Sequence, residues 1–138
     1  MLYGSELWPL KKVQQNKFEV QQSRMLRWAL GIKCQYKLEN EYVRLRVEIG
    51  SMGQRLRESR LWWFGHVVRM EEDDVIKRVR KMQIPGEARQ RGRPRLTWDA
   101  VIKKDMAYCK LHEEMALDRS EWRVAIHKPT LATLGVGR

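Results

Sequence analysis

Apolar residues recur at helical spacing along most of the chain. Between about Lys11 and Leu30, Phe18, Gln22, Met25, Leu26, Ala29 and Leu30 fall on one side of a helix, and Gly31 stands where that helix would stop. A short helix follows, with Asn40 as its N-cap and Val43 and Val47 four residues apart, until Gly50, Ser51 and Gly53 break it. The next helix spans about Gln54 to Met70, with Leu56, Arg60, Trp63, Phe64, Val67 and Val68 as its inner face. The acidic run Glu71–Asp74 leads a helix over about Asp74–Met82, where the helix macrodipole favours negative charge, and Val75 and Val79 are expected to point inward. Thr97 caps a helix that runs to about Lys110 with an apolar stripe of Trp98, Val101, Ile102, Met106 and Cys109. Asp118 and Glu121 have capping-box spacing and open a last helix with Trp122 and Ile126 on one side.

Other stretches lack this period. Residues 1–10 are apolar and aromatic, punctuated by Gly4 and Pro9, and suit a short strand or a tucked-in arm. Residues 84–96, IPGEARQRGRPRL, hold two Gly and two Pro in thirteen positions, which excludes a regular helix. Residues 127–138 show no periodicity and read as a frayed tail. Neither an internal repeat nor a strand pair is evident. The fold class expected is all-α, a small bundle of five or six helices with a basic Gly/Pro-containing loop. At 138 residues, one domain over 1–126 is expected.

Charge changes the picture. The chain carries 28 Lys plus Arg against 17 Asp plus Glu, a net +11 that draws it towards polyanions, nucleic acid above all. From Lys77 to Arg95 there are eight basic side chains (Lys77, Arg78, Arg80, Lys81, Arg89, Arg91, Arg93 and Arg95) and one acid, Glu87, a local charge of +7. In extended backbone the four alternate arginines Arg89, Arg91, Arg93 and Arg95 would point one way, about 6.6 Å apart, close to phosphate spacing along a strand. Guanidinium binds phosphate bidentately where Lys binds it as a point charge. The core Arg91-Gly92-Arg93-Pro94 also resembles the AT-hook, an arm that lies in the minor groove of A·T-rich DNA. The plainer alternative is a solvated basic loop that keeps the protein soluble.

A second candidate lies in the segment from Arg60 to Met70, RLWWFGHVVRM. Adjacent Trp62 and Trp63 cannot both face the core from one helix. If Trp62 is exposed, it can stack on bases beside Arg60 and Arg69; alternatively, both rings are buried between neighbouring helices. His66 has no Cys or Asp at ligand spacing. Cys109 and His112 lack a second pair to complete a zinc site, so no metal is expected. Four consecutive acids at Glu71–Asp74 do not converge on one Mg²⁺. The chain has no Gly-rich phosphate loop, nucleophile elbow or HExxH, so neither a cofactor nor a catalytic residue is expected. Cys34 and Cys109 form no disulfide framework and suit a reducing compartment. With no bilayer-length apolar run and no signal-peptide layout, an intracellular protein without a membrane partner is expected.

Five short segments, in order, resemble the region that follows the reverse transcriptase domain in the endonuclease–reverse transcriptase polyproteins of non-LTR, LINE-type retrotransposons. They are LYGSELW at 2–8, MLRWALGI at 25–32, RLWWFGHVVRM at 60–70, RGRPRLTW at 91–98 and DRSEWR at 118–123. The resemblance implies a polyprotein fragment with no active site of its own that helps to hold template RNA or target DNA, with a reverse transcriptase domain as a further partner. The Tyr/Phe-x-Asp-Asp motif of such polymerases is missing, since Asp73-Asp74 follows two glutamates. The resemblance assigns Trp63, Phe64, Gly65, His66 and Arg69 structural or nucleic-acid-contacting roles. Trp62 stands where the family usually has Arg, and the likeness fades after Ile126. Both departures, and Met1 at a position expected to be internal, suggest a truncated or domesticated copy, acting in the nucleus or nucleocytoplasm.

Overall fold

The computed structural model describes residues 4–33, 35–82, 92 and 96–127. It is all-α: six helices, α1 (Lys12–Ala29), α2 (Asn40–Arg46), α3 (Met52–Val68), α4 (Val75–Lys81), α5 (Trp98–Cys109) and α6 (Arg119–Ile126), with short 3-10 turns at Ser5–Leu7 and Glu113–Ala116. No strand occurs among the described residues. Residues 4–10 therefore form no strand; Gly4, at φ 73°, leads into the first 3-10 turn. The described chain divides into two compact units between Ser59 and Arg60, and α3 passes from one to the other. The sequence had suggested one domain over 1–126. The expected tail from residue 128 onward lies outside the described residues.

In the first unit, polar side chains do much of the joining. Glu19 on α1 accepts a hydrogen bond from Gly53 N at 2.8 Å and pairs with Arg44 of α2 at 3.3 Å. Gln22 Nε2 donates to Gly50 O at 3.2 Å, and Arg27 donates to Leu38 O and to Asn40 Oδ1. These bonds turn α1 so that Gln22 and Ser23 are buried, while Met25, Ala29 and Leu30, expected inside, are exposed. The apolar period of α1 missed this because long-range hydrogen bonds fix a helix face as firmly as apolar burial does. Gly31 ends the helix as expected: its φ of 65° is the left-handed turn that glycine adopts without strain, and Ile32 N reaches back to Arg27 O. Asn40 is the first residue of α2 and not its cap, because its side chain is taken by Arg27. Val43 is buried as expected, with Leu56 of α3. Ser51 Oγ accepts from Gln54 N, so α3 begins at Met52 and Gly53 lies inside it.

The second unit has the larger apolar core. Leu61 and Phe64 of α3 pack with Ile102 and Met106 of α5, with Leu111 and Ala116, and with Trp122 and Ile126 of α6. Thr97 caps α5 by accepting from Ala100 N, and Lys110, at φ 55°, closes it. Of the stripe read from the sequence, Val101, Ile102 and Met106 are buried and Trp98 and Cys109 are half-buried; Asp105 is buried as well. α4 departs from expectation. Asp74 caps it, but Val75 and Val79 are exposed and no residue of α4 is buried. Its anchorage is ionic and aromatic: Arg80 pairs with Asp99 at 2.9 Å and lies over the rings of Phe64 and Trp98, 5.3 and 5.6 Å from their centroids.

No helix among the described residues is long and apolar enough to cross a membrane.

Candidate nucleic-acid interface

Two segments far apart in the chain meet in the second unit. Trp122 of α6 is 2% exposed and donates its indole N–H to Leu61 O at 2.9 Å. It approaches α3 closely because residue 65 is glycine: a Cβ there would stand 2.4 Å from Trp122 Nε1. This close approach sets α6 beside the last two turns of α3 and leaves a groove of about 300 Å³ between them.

The groove is lined by Trp62, His66 and Arg69 from the α3 side and by Arg119, Trp122, Arg123 and His127 from the α6 side. Positions 62, 66 and 69 are spaced i, i+4, i+7, so they share one helix face. Positions 119, 123 and 127 repeat every four residues and face them. Trp122 forms the floor. Among the described residues, three guanidinium groups line the groove and no carboxylate does. Arg119 and Arg123 are exposed and have no ion-pair partner among the described residues.

Trp62 is 53% exposed, and the His66 ring stacks with it at 6.1 Å between centroids and 20° between planes. Trp63 is half-buried and its ring is tilted against His66 at 5.4 Å between centroids. The adjacent tryptophans therefore divide, one towards solvent and one partly inward.

Arg69 has a second duty. Its Nη1 donates to Ala116 O at 2.6 Å, tying the turn before α6 to the end of α3 while its other N–H groups remain for the groove. Asp118 Oδ1 caps α6 by accepting from Ser120 N at 2.7 Å and Glu121 N at 3.0 Å. The bonds from Glu121 and then Ser120 hold its carboxyl below the usual carboxylate range, against a small opposing effect of burial, and the Arg69 charge adds to them. The folded value is the lower one. The ionised cap thus contributes stability fully above the ordinary carboxyl value, and that contribution is lost as pH falls through the folded value. Asp118→Asn keeps an uncharged cap. Thermal melts from pH 6 to pH 2 should show wild type above the variant at pH 6 and the gap closing at the acid end. A gap unchanged at pH 2 would contradict this account.

The other residues singled out from the sequence have separate fates. Arg60 is a correction: it is 2% exposed, and its Nε and Nη2 both reach Asp105 Oδ2 at 2.7 Å, so its guanidinium is enclosed within the fold and is not offered at the surface. Periodicity had already put it on the inner face of α3, and the buried Asp105 is what allows its charge to stay there. Arg80 is committed to Asp99, Phe64 and Trp98. Lys77 and Lys81 both hold Glu72, at 3.1 and 2.7 Å, and the bonds from Lys81 and then Lys77 lower the Glu72 carboxyl from its ordinary range. Arg78 is exposed, with no ion-pair partner among the described residues. Arg89, Arg91, Arg93 and Arg95 lie outside the described residues, as does Cys34.

Arg119, Arg123 and His127 were not singled out from the sequence. Their i, i+4 spacing on the helix opened by Asp118 was the available signal, but nothing local said that α6 would lie beside Trp62. Among the described residues, no group of three or more His, Cys, Asp or Glu side chains is placed to hold a metal ion. Comparison with protein-family models, with curated proteins and with solved structures gives no match.

Proposed function

We propose that this chain is a non-catalytic nucleic-acid-binding module that holds RNA or DNA through its phosphate backbone. The observation that carries this reading is the groove in the second unit, where three arginines converge with no lining carboxylate among the described residues, on a chain of net charge +11. Exposed Arg78 and the arginine run Arg89, Arg91, Arg93 and Arg95 supply further cations along the same polymer. The five-segment resemblance supports a role like that of the region after the reverse transcriptase in LINE-type retrotransposons. In that role the module grips template RNA or target DNA beside a polymerase domain, in the nucleus or nucleocytoplasm, without a cofactor or a small-molecule substrate.

Phosphate contacts release condensed counterions, so binding should weaken linearly in log–log form as salt rises. Four to six contacts on duplex DNA give a slope of about −3.6 to −5.4. Filter binding from 50 to 300 mM salt measures it. Replacing Arg89, Arg91, Arg93 and Arg95 together with Ser should remove most of that slope and leave the helical circular dichroism unchanged. Wild type that retains neither RNA nor duplex DNA at low salt would overturn the proposal.

A second reading has its own observation. In the first unit Trp28 is 87% exposed, and Met25, Val13 and Val20 on the same helix are exposed as well. Such apolar exposure favours a structural fragment that packs against a polymerase thumb and binds no nucleic acid itself. Sedimentation distinguishes the two, since that fragment alone should self-associate through Trp28 and show no salt-dependent retention of nucleic acid.

A further inference from the structure

We infer that the groove between α3 and α6 is a seat for unpaired nucleotides, with a base stacked on Trp62 and the flanking phosphates held by Arg119 and Arg123. This rests on the nucleic-acid reading above and specifies the form of the polymer: single-stranded. A duplex keeps its bases stacked on one another and offers this platform only its backbone. A single strand can present a base face.

Three features point to this ligand. The first is the ring arrangement. Trp62 exposes half its surface, and His66 stacks beside it nearly in parallel. Trp63 also contacts the His66 ring, tilted at 51° with 5.4 Å between centroids. The indole face is thus a supported platform on a helix, costing little ordering when a base lands on it. The second is the charge. Arg119 and Arg123 stand one helical turn apart on the opposite wall, with no ion-pair partner among the described residues. Side chains one turn apart lie about 5–6 Å from each other at Cβ, a span that two neighbouring phosphates of a single strand can match. The third is size: about 300 Å³ between the walls is at the small end of ligand sites and has room for one nucleotide.

His66 and His127 add ring surface and polar ring atoms to the lining of the groove. Arg69, partly occupied by Ala116 O, positions the turn before α6 and contributes its remaining donors. The paired cations of α4 play no part in this seat.

The experiment uses the full chain and four fluorescently labelled probes of equal length: oligo(U), oligo(dT), and RNA and DNA duplexes. Fluorescence anisotropy at 100 mM salt gives each Kd for wild type, Trp62→Ala, Trp62→Phe, the double variant Arg119→Ser/Arg123→Ser, and the four-arginine loop variant. Trp62→Ala should weaken both single strands about tenfold, the loss of one stacked base, and change both duplexes less than twofold. Trp62→Phe should restore most of that loss. Arg119→Ser/Arg123→Ser should flatten the salt slope on single strands by about 1.4, the signature of two lost phosphates. A 2-aminopurine placed in oligo(dT) should be quenched on binding by wild type and Trp62→Phe but not by Trp62→Ala. Circular dichroism checks that these exposed positions leave the fold unchanged.

If wild type binds nucleic acid but Trp62→Ala leaves single-strand affinity and quenching as they were, the groove assignment is overturned and the proposed function stands. If wild type binds no probe, both fall. Equal weakening of single strands and duplexes by Trp62→Ala also overturns the stacked-base assignment, since only an unpaired base should reach the indole.

Discussion

Asp105→Ala is expected to destabilise the protein by about 3–5 kcal/mol, because it strands the buried guanidinium of Arg60 without its counter-charge. Arg60 is almost wholly enclosed, and Nε and Nη2 both converge on one carboxylate oxygen at 2.7 Å. Its remaining nitrogen, Nη1, is buried without a hydrogen-bond partner among the described residues, so the pair is incompletely satisfied. Incomplete satisfaction makes a sharp contrast between single and double replacement. Removing one partner leaves an uncompensated charge in a low-dielectric interior. Removing both, as Arg60→Met/Asp105→Leu, deletes the desolvation cost along with the attraction, and should return stability to within about 1 kcal/mol of wild type or above it. Urea unfolding followed by circular dichroism measures all three variants. A cost below about 1 kcal/mol for Asp105→Ala would mean that water or a rearranged side chain already solvates Arg60. The double variant should also bind nucleic acid as wild type does, since Arg60 is not part of the interface.

Gly65→Ala should destabilise by about 1–3 kcal/mol, although alanine is the better helix former by about 1 kcal/mol in an open helix interior. The sign reverses because the added Cβ would stand 2.4 Å from Trp122 Nε1, 2.6 Å from its Cδ1 and 3.1 Å from Arg69 Nη1. The indole cannot easily yield. It is buried, it is bonded to Leu61 O, and the ring of Phe64 lies 6.0 Å from it, centroid to centroid. Gly65→Val should cost more. Trp122→Leu removes the obstructing ring, so the alanine change should be cheaper in that background, a coupling that a double-mutant cycle reads directly. If Gly65→Ala matches or exceeds wild-type stability, α6 does not lie against α3 as described. Displacing Trp122 would also move the floor of the groove, so single-strand affinity should fall together with stability.

These variants separate arginines that look alike in the sequence. Arg60 neutralises a buried acid, Arg80 pins α4 onto Phe64, Trp98 and Asp99, and Arg69 ties down the turn before α6. Arg119 and Arg123 hold no acid among the described residues and line a groove. A net positive charge counts all of them equally, although the first two are already spent on the fold. The candidate interface is correspondingly smaller than a tally of basic residues would suggest, and more local.

Helix existence was legible from local chemistry. Thr97 and Asp118 announce their helices because a short oxygen side chain satisfies backbone N–H groups two or three residues on. Gly31 ends α1 because glycine alone enters the left-handed region without strain. The stripe Val101, Ile102 and Met106 marks a buried face because 3.6 residues make one turn. These signals are complete within a few residues, so the order and class of the elements follow from the chain alone. Which face of α1 turns inward, which way α4 lies and which arginines remain available were settled only by partners far along the sequence. Glu19 meets Gly53 across 34 residues, Arg60 meets Asp105 across 45, and Trp122 reaches Leu61 across 61. Spacing along one helix gives the angle at which a side chain leaves it; the packed neighbour determines whether that side chain is buried, paired or open to a ligand.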